Sequence, residues 1–495
     1  MGASEVKSLA VIAPRSAEEA RAAANAIRTL AAAGVAHEVE VFAAPEARAE
    51  LAGEGITAKP LGRGVAEALR SVDADSAVLM DPREGDALEA RAAGASLRFG
   101  WGERLGPLTH GIRPAKLHGA IYRPIPERIY LDLVGLCGAL SVERSPDLAP
   151  SVPDGRILLR LPNWLGDIIQ CEPLLRSFVG AADRLTLVGP RVAESLFGEM
   201  LGGAHWLRAD AGVRAWRDHD LALLLDGSLR SAFRAACARI PSRVSWARGG
   251  KSLFLTDAVS PPRELGQPAL GCGVTGSSPR YLARPFDVAV RELASAAGLG
   301  IASGAPRLSV TAAGREEAVR LLESAGVEEG TAFVLAALGG RAGSAKVIPA
   351  ATMSALLAAF RRESSLPVLM TCGPGEERHL ALLQEQGLPE GVSHLGVSDL
   401  ETLAGLLERA SAFLSSDSGP RHIAAALGRP AVVLHGPTDP RHSGLRGAPV
   451  KISRLQVPCG PCHKERCPLS GEDHMACFGD SHSAPAAAML CELLT

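Results

Sequence analysis

Short apolar runs alternate with alanine-rich segments along the whole chain, and this alternation limits the folds that the chain can adopt. Short apolar runs are typical of buried parallel strands, and the alanine-rich segments between them are typical of helices. The pattern occurs in three consecutive blocks, residues 1–150, 151–305 and 306–495. It predicts an α/β fold in which each block is a Rossmann-like domain with a doubly wound parallel sheet.

The length of the chain agrees with three such domains. Its 495 residues are 47% hydrophobic and 21% charged, which is the balance of a soluble globular protein. Helices are predicted at residues 17–33, 129–139 and 286–297. Strands are predicted at residues 9–13, 38–43 and 76–80 in the first block, 157–160, 184–188 and 221–225 in the second, and 332–336, 367–372, 412–415 and 431–434 in the third.

The charge and the N-terminal residues exclude several classes of protein. The net charge is −2 and the sequence pI is about 6.7, so no basic excess points to nucleic acid as a partner. The first residues lack the basic start and apolar run of a signal peptide, and no apolar stretch approaches the length of a membrane span. We therefore expect a cytoplasmic protein, and peripheral contact with the inner membrane surface stays open.

The first two blocks resemble each other in sequence. Trp101 follows Asp81 at the same distance as Trp246 follows Asp226, and each aspartate ends a predicted strand. Either the blocks are copies or the likeness is the general one between α/β units. The turn that carries Asp167 in the second block has no counterpart in the first. The comparison predicts that residues 1–150 are a degenerate duplicate of the second block.

A strand-to-helix turn at residues 161–167 is the first candidate for chemistry. Its sequence is Leu-Pro-Asn-Trp-Leu-Gly-Asp, and Asp167 stands where the helix begins. Ligands of open α/β sheets bind at this edge, beyond the carboxyl ends of the strands. The alternative is that Asp167 merely caps the helix.

The segment 415–422 is the second candidate, with the sequence Ser-Ser-Asp-Ser-Gly-Pro-Arg-His. It follows a predicted strand and opens a helix whose free N–H groups would bind a pyrophosphate without a metal. Gly419 lets a ligand approach the backbone, and His422 lies one turn into the helix. Capping by Asp417 or Ser418 is the structural alternative.

Three further loops follow predicted strands in the third block. The glycine-rich loop 338–346 ends in Lys346, which would neutralise phosphate charge, although the loop is no P-loop and could be merely solvated. In the segment 371–378, Glu376 or Glu377 could accept hydrogen bonds from a ribose, or could serve the helix start. The loop 434–440 could contact a ligand or simply form a turn.

Together, these motifs resemble those of glycosyltransferase family 9, the heptosyltransferases of lipopolysaccharide core assembly. The resemblance covers residues 155–480 and is most specific at residues 416–426 and 436–439. It implies the GT-B architecture, with the site in the cleft between the second and third blocks. It assigns Asp167 as catalytic base. It assigns donor binding to Lys346, Glu376, Asp417, Ser418, Gly419 and His422, and the acceptor side to Asn163, Ser228 and Arg230.

The resemblance also implies a function. The chain would be an inverting glycosyltransferase that moves heptose from ADP-heptose to a hydroxyl of a lipopolysaccharide-core-like acceptor, with no cofactor required for chemistry. The acceptor would be a glycolipid or an oligosaccharide. The loop 337–340 lacks the usual Pro-Gly-Ala start, and Ile348 replaces a common tryptophan, so another nucleotide-sugar donor stays open. A non-catalytic sugar-binding scaffold and a sugar-nucleotide epimerase are the remaining alternatives.

Four of the ten cysteines, Cys459, Cys462, Cys467 and Cys477, lie close together near the C-terminus. Four thiolates would suit a tetrahedral metal site, although the spacing is not that of a common zinc ribbon. The resemblance implies the same choice of metal, because some related enzymes hold iron at such a cluster. Structural zinc or iron, free thiols and disulfides all stay open here.

Overall fold

The computed structural model describes most of the second and third blocks and parts of the first. The described residues are 8–17, 19–21, 23–24, 27, 38–62, 64–72, 74, 76–80, 90, 92–93, 97–101, 110–114, 116–117, 120–121 and 152–495, without 248, 260–284, 303, 341–342, 374, 398 and 444–447. Asp81 and the predicted helix 129–139 lie outside this set, as does most of the predicted helix 17–33.

The first block contributes six strands to a parallel sheet. They are β1 Ser8–Ile12, β2 Glu38–Ala43, β3 Lys59–Pro60, β4 Ser76–Leu79, β5 Leu97–Trp101 and β6 His110–Pro114. Their spatial order, 3-2-1-4-5-6, is that of a Rossmann sheet. The helices are α1 Pro45–Gly53 and α2 Val65–Ser71, and an antiparallel pair, β7 Lys116–Leu117 and β8 Ala120–Ile121, follows β6.

The second block forms a separate parallel sheet with the same strand order. Its strands are β9 Ile157–Arg160, β10 Leu185–Gly189, β11 His205–Arg208, β12 Leu221–Leu224, β13 Ser242–Trp246 and β14 Asp257–Val259. Its helices are α3 Leu165–Gln170, α4 Glu172–Arg176, α5 Arg191–Phe197, α6 Leu229–Cys237 and α7 Phe286–Ala296. A 3-10 helix, Gly249–Phe254, joins β13 to β14.

The third block repeats this order once more. Its strands are β15 Val334–Ala337, β16 Val368–Cys372, β17 Val392–Gly396, β18 Ala412–Ser416, β19 Ala431–His435 and β20 Val450–Gln456. Its helices are α8 Ala312–Ser324, α9 Ala350–Glu363, α10 Glu377–Glu385, α11 Leu400–Arg409, α12 Gly419–Ala426, α13 Pro440–Ser443 and α14 Ser483–Leu494. The prediction of an α/β fold with parallel sheets is confirmed.

The first and third blocks share one continuous sheet, which the sequence did not predict. Strand β20 pairs in parallel with β6, with Ile452 opposite His110 and Gln456 opposite Pro114, and the result is a sheet of 12 strands. All seven residues of β20 are buried. Its alternation of apolar and polar residues is typical of a half-exposed strand, so the sequence pattern conceals this burial.

Trp101 and Trp246 end β5 and β13, the fifth strands of their blocks. The matched sequence segments therefore occupy the same place in two sheets of equal order. A common origin of these two blocks stays a prediction.

Candidate active site

Asp167 lies in the first turn of α3, just beyond the carboxyl end of β9. Trp164 occupies the position before this helix, and the carboxylate of Asp167 makes no hydrogen bond within the described part of the chain, so Asp167 does not cap the helix. Burial raises the pKa of Asp167 to about 6, while the positive charge of Lys346 lowers it and the negative charge of Asp417 raises it. The carboxylate is thus within electrostatic reach of two groups from the third block.

Two glycines let the second and third blocks meet at the site. A Cβ atom on Gly166 would lie 2.6 Å from Cδ2 of His422, and one on Gly419 would lie 2.7 Å from Cδ2 of Leu165. Any larger side chain at either position would force the helices apart. The N-terminal turns of α3 and α12 therefore pack directly against each other, and they bring together residues that are about 250 positions apart in sequence.

A buried carboxylate and its cations lie at the start of α12. Nε of Arg421 donates to Oδ1 of Asp417 at 2.8 Å, and Nζ of Lys346 lies 3.9 Å from Oδ2. Burial alone would raise the pKa of Asp417, but Arg421, His435 and Lys346 together hold it well below its usual value. Asp417 is therefore ionised, and it anchors Arg421 and Lys346 beside the helix start.

Ser418 is the residue before α12, and its side chain does not cap the helix. Its hydroxyl instead donates to the carbonyl of Ser416 at 3.4 Å. Gly419 opens the helix. The capping alternative thus fails for Ser418, and the helix start keeps its partial positive charge.

The histidines near this helix start are neutral at neutral pH. Burial, together with Arg421, holds the pKa of His422 well below its usual value. Burial lowers the pKa of His435 to about 4, although Asp417 opposes the shift. Nδ1 of His435 lies 4.0 Å from Oδ2 of Asp417 and 3.3 Å from the hydroxyl of Thr438. Neutral imidazoles leave Lys346 and Arg421 as the positive charges here.

The glycine-rich loop packs against the end of β18. Gly339 has a φ of +76°, and a Cβ atom there would clash with the Ser416 hydroxyl and approach that of Ser418 to 3.0 Å. Farther along, the Lys346 side chain is 43% exposed, so its ammonium borders open space while facing Asp417. The loop is therefore part of the site wall and not simply a solvated connection.

Glu376 immediately precedes α10 and accepts hydrogen bonds from backbone amides. Its Oε2 accepts from the N–H of Gly373 at 2.8 Å. Burial raises its pKa, and the N–H groups of Gly373 and Gly340 oppose that rise. The carboxylate thus joins the β16–α10 turn to the glycine-rich loop. The Glu376 side chain does not cap α10, and contact with a ribose remains a prediction. Glu377 is exposed.

The predicted acceptor-side residues divide into two groups. Arg160 donates to Oδ1 of Asn163 at 2.8 Å, and its Nε lies 3.4 Å from Oδ2 of Asp226. The Ser228 hydroxyl donates to Asp226 at 2.8 Å and accepts from the N–H of Ser231, which caps α6. Asn163 and Ser228 thus hold the loops in place, whereas Arg230 is exposed on the first turn of α6.

The four cysteines of the C-terminal cluster lie near one another in the third block. All four are free thiols, and Cys477 is buried in the core of the third block. Burial, reinforced by the three other cysteines, raises the pKa of Cys477 to about 12. In the part of the chain that the structure describes, no group of three or more Cys, His, Asp and Glu side chains is arranged to hold a metal ion. No disulfide joins these four cysteines in the structure, and structural zinc or iron stays a prediction beside free thiols.

Sequence reasoning identified most of these residues but missed two partners of Asp417. Arg421 stands four positions after Asp417, which lies two residues before α12, and a spacing of four across a helix start could have predicted the pair. His435 comes from the end of the next strand, β19, and nothing local in its sequence indicates the contact.

Comparison with known proteins decides the family. A family model described as "Glycosyltransferase family 9 (heptosyltransferase)" matches residues 213–472, slightly more than half of the chain. The chain belongs to glycosyltransferase family 9. It is therefore a glycosyltransferase of the heptosyltransferase type.

Two family 9 relatives cover similar parts of the sequence. Lipooligosaccharide heptosyltransferase 2 of Haemophilus influenzae is 27% identical over 317 residues, which is 61% of this chain and 81% of that protein. Lipopolysaccharide heptosyltransferase 2 of Salmonella typhimurium is 26% identical over 326 residues, which is 61% of this chain and 88% of that protein.

Solved structures of family 9 share the fold. The E. coli ADP-heptose lps heptosyltransferase II superimposes with a TM-score of 0.50 at 20% identity, covering 68% of this chain and 98% of that one. A family 9 glycosyltransferase from Veillonella parvula superimposes with a TM-score of 0.51 at 18% identity. That superposition covers 68% of this chain and 97% of the Veillonella chain. About a third of the present chain thus lies outside each superposition.

Across the described residues, no helix combines the length and the apolar character that crossing a bilayer requires.

Proposed function

We propose that this family 9 enzyme is an inverting heptosyltransferase, with ADP-heptose as donor and a hydroxyl of a lipopolysaccharide-core-like saccharide as acceptor. The proposal assigns the acceptor to the second block and the donor to the third. The relatives' names, which specify heptose transfer to lipopolysaccharide or lipooligosaccharide, support it. The residues around the contact between α3 and α12 supply groups suited to each chemical step.

Asp167 acts as the general base in this proposal. Its carboxylate takes the proton of the acceptor hydroxyl while the hydroxyl oxygen forms a bond to the anomeric carbon of the donor sugar. The bond from that carbon to the diphosphate oxygen breaks on the opposite face, and the electron pair leaves with ADP. One displacement inverts the anomeric configuration. With a pKa of about 6, Asp167 is mostly ionised at neutral pH and still basic enough to accept the proton.

The donor-binding groups stabilise the charge that develops on the departing diphosphate. Lys346 supplies a cation, and the open N-terminus of α12 supplies N–H groups and a partial positive charge. The Ser416 hydroxyl is buried and, within the described part of the chain, has no hydrogen-bond partner, so it can donate to an oxygen of the ligand. These groups are already in position before the substrate binds, and this lowers the activation free energy of the displacement.

One observation carries the proposal: the fit of Gly166 against His422. This packing holds the carboxylate of Asp167 close enough to Lys346 and Asp417 for their charges to shift its pKa, although Asp167 follows a strand of a different sheet. The proposal requires base and leaving-group stabiliser to flank one space, as a direct displacement does.

The test is transfer from ADP-heptose to a core saccharide that lacks heptose. Release of ADP measures turnover, and the anomeric configuration of the product is determined. Asp167→Asn is expected to lower kcat by about 10²–10⁴-fold, the usual contribution of a general base. Asp183→Asn, an exposed aspartate of the same block, is the matched control and should retain full activity. Equal turnover by the two variants would remove Asp167 from the mechanism, and retained anomeric configuration would exclude a single displacement.

A different nucleotide-sugar donor is the second candidate, and the loop after β15 motivates it. Residues 337–340 read Ala-Leu-Gly-Gly, without the family's usual Pro-Gly-Ala start, and Gly339 of this loop lies against Ser416 and Ser418. Parallel assays with ADP-hexoses and UDP-hexoses, with product mass as the readout, separate this candidate from heptose transfer.

A further inference from the structure

A histidine that is not among the predicted site residues has an unusual backbone conformation. His463 has a φ of +52°, in the left-handed region that few residues other than glycine adopt. It lies between the second and third cysteines of the C-terminal cluster. Strain of this kind persists only where neighbouring contacts impose it, and it is concentrated at functional sites. The contacts of His463 therefore indicate what purpose the conformation serves.

The backbone around His463 is bound to two loops of the proposed donor site. We call residues 459–467 the cysteine segment. The N–H of His463 donates to the carbonyl of Pro437 at 2.9 Å, and Pro437 belongs to the loop after β19. The carbonyl of Glu465 accepts from the N–H of Ala345 at 2.7 Å, one residue before the lysine of the glycine-rich loop. These hydrogen bonds join the two loops through the cysteine segment and hold His463 in its left-handed conformation.

The loop after β19 is itself fixed in place. A Cβ atom on Gly436 would clash with the ring of Phe478, so the backbone of this loop packs directly on that ring. The hydroxyl of Thr438, which is buried, lies 3.3 Å from Nδ1 of His435. Pro437, between these two anchored residues, therefore offers the N–H of His463 an acceptor at a defined position.

The side chain of His463 lies near the charged groups of the donor site. Its ring packs edge-on against the ring of His442, with the ring centroids 5.3 Å apart. Partial burial and His442 lower the pKa of His463, and the charges of Lys346 and Asp417 are close enough to shift it in opposite directions. His463 is nevertheless exposed, so a ligand can reach it. The imidazole is therefore within range of a ligand that Lys346 binds.

The ring nitrogens of His463 have hydrogen-bonding capacity that the protein does not use. Across the described residues, the ring contacts His442 but makes no hydrogen bond to another protein group. An imidazole carries at least one N–H donor in either protonation state. A phosphate oxygen accepts such a hydrogen bond strongly because it is charged. The diphosphate that Lys346 would bind is thus a suitable acceptor.

We propose that His463 is a further donor-binding residue, whose imidazole donates a hydrogen bond to the diphosphate of the nucleotide sugar beside Lys346. The inference rests on the proposed function, because it requires the diphosphate to lie at the third block. It also gives the cysteine segment a role: the segment presents His463 to the donor while it joins the two loops that surround the donor.

The experiment is calorimetric titration of the full-length protein with ADP and with adenosine. His463→Gly removes the imidazole and introduces the residue that adopts a positive φ without strain, so the fold should tolerate it. We expect the affinity for ADP to fall by about tenfold or more, as for loss of a hydrogen bond to a charged group. The affinity for adenosine, which has no phosphate, should not change. His463→Asn should recover part of the ADP affinity, because asparagine tolerates this conformation and has an amide donor.

Asp218→Gly is the matched control, because Asp218 is an exposed residue of the second block with a φ of +62°. It should bind ADP as the unchanged protein does. Thermal unfolding separates donor binding from a structural role: the midpoint of His463→Gly should equal or exceed that of the unchanged protein. A midpoint lower by about 5 °C or more for His463→Gly, but not for Asp218→Gly, would make the role structural and overturn the inference.

Unchanged ADP affinity in His463→Gly would also overturn the inference. Lys346→Met, titrated in parallel, distinguishes that failure from failure of the proposed function. Weaker ADP binding by Lys346→Met together with unchanged binding by His463→Gly would remove only the role of His463. Absence of ADP binding by the unchanged protein would instead remove the donor assignment, and this inference with it.

Discussion

Gly166 of α3 lies directly against the His422 ring of α12, with no room for a methyl group between them. This contact joins two sheets at the place where Asp167 comes closest to the cationic groups of the third block. It also makes the alignment of the site sensitive to a single carbon atom.

Gly166→Ala is therefore expected to impair catalysis more than folding. The added Cβ would lie 2.6 Å from Cδ2 of His422, so the two helices must separate. A displacement of that size can lower kcat/KM by about 100-fold. Steady-state kinetics measure the loss, and Gly212→Ala is the control, because a Cβ atom at Gly212 meets no atom within 4 Å. Unchanged kinetics for the Gly166 variant would show that the helices have freedom to separate without cost.

The pKa of Asp167 predicts how activity depends on pH. Because burial raises that pKa to about 6, the base is protonated below this pH, and kcat/KM should fall as the pH decreases through about 6. A profile of kcat/KM from pH 4.5 to 8.5 measures it. An acidic limb centred near the ordinary aspartate pKa of 3.8 would contradict the burial of this carboxyl group.

The same shift predicts an effect on stability. The folded state holds a proton on Asp167 up to pH about 6, whereas the unfolded chain releases it near 3.8, so the contribution of Asp167 to stability declines as the pH rises between these values and stays lost above them. Asp167→Asn should then raise the free energy of unfolding at pH 7.5 by an amount on the order of 1–3 kcal/mol. Denaturant unfolding at pH 7.5 and near pH 4.5 checks this, because the difference between variant and parent should shrink at the lower pH.

Lys346 offers a prediction about the donor. Lys346→Met removes the cation that lies 3.9 Å from Asp417, and we expect a drop in kcat/KM for the donor of about 10–100-fold, with weaker binding of ADP. Lys346→Arg should recover part of the loss because it restores the charge. Calorimetric titration with ADP and initial rates provide the measurements. Lys464→Met, at an exposed lysine of the same block, should behave as the parent does.

The cysteine cluster gives a prediction that does not depend on catalysis. As free thiols, Cys459, Cys462 and Cys467 should react with a thiol reagent, and Cys477 should react far more slowly because its pKa is about 12 and it is buried. Mass mapping of the labelled peptides measures the order, and exposed Cys237 serves as the fast reference. Protection of all four cysteines until a chelator is added would instead support the metal interpretation.

Local sequence was sufficient to predict the features that depend on short stretches of chain. Strands β9 and β18 begin as apolar runs, and the turns that carry Asp167 and Ser418 follow them. Features that depend on distant residues were not predictable in this way. The contact of His435 with Asp417 joins two strand ends, and the pairing of β20 with β6 joins positions more than 300 residues apart. The cysteines show a different limit: their spacing suggests a ligand set, but it does not distinguish a metal site from a group of free thiols.

The pairing of β20 with β6 changes how the three blocks are expected to move. Because the terminal blocks are two halves of one sheet, the middle block is in effect an insertion tethered to a single large body by both of its ends. Opening of the cleft between the second and third blocks then requires the smaller middle block to rotate against that body. The two covalent connections limit the angle of this rotation. Deletion of residues 1–150 would accordingly do more than remove an additional domain, since it would expose the backbone of β20 along the side that pairs with β6 and favour self-association through that strand.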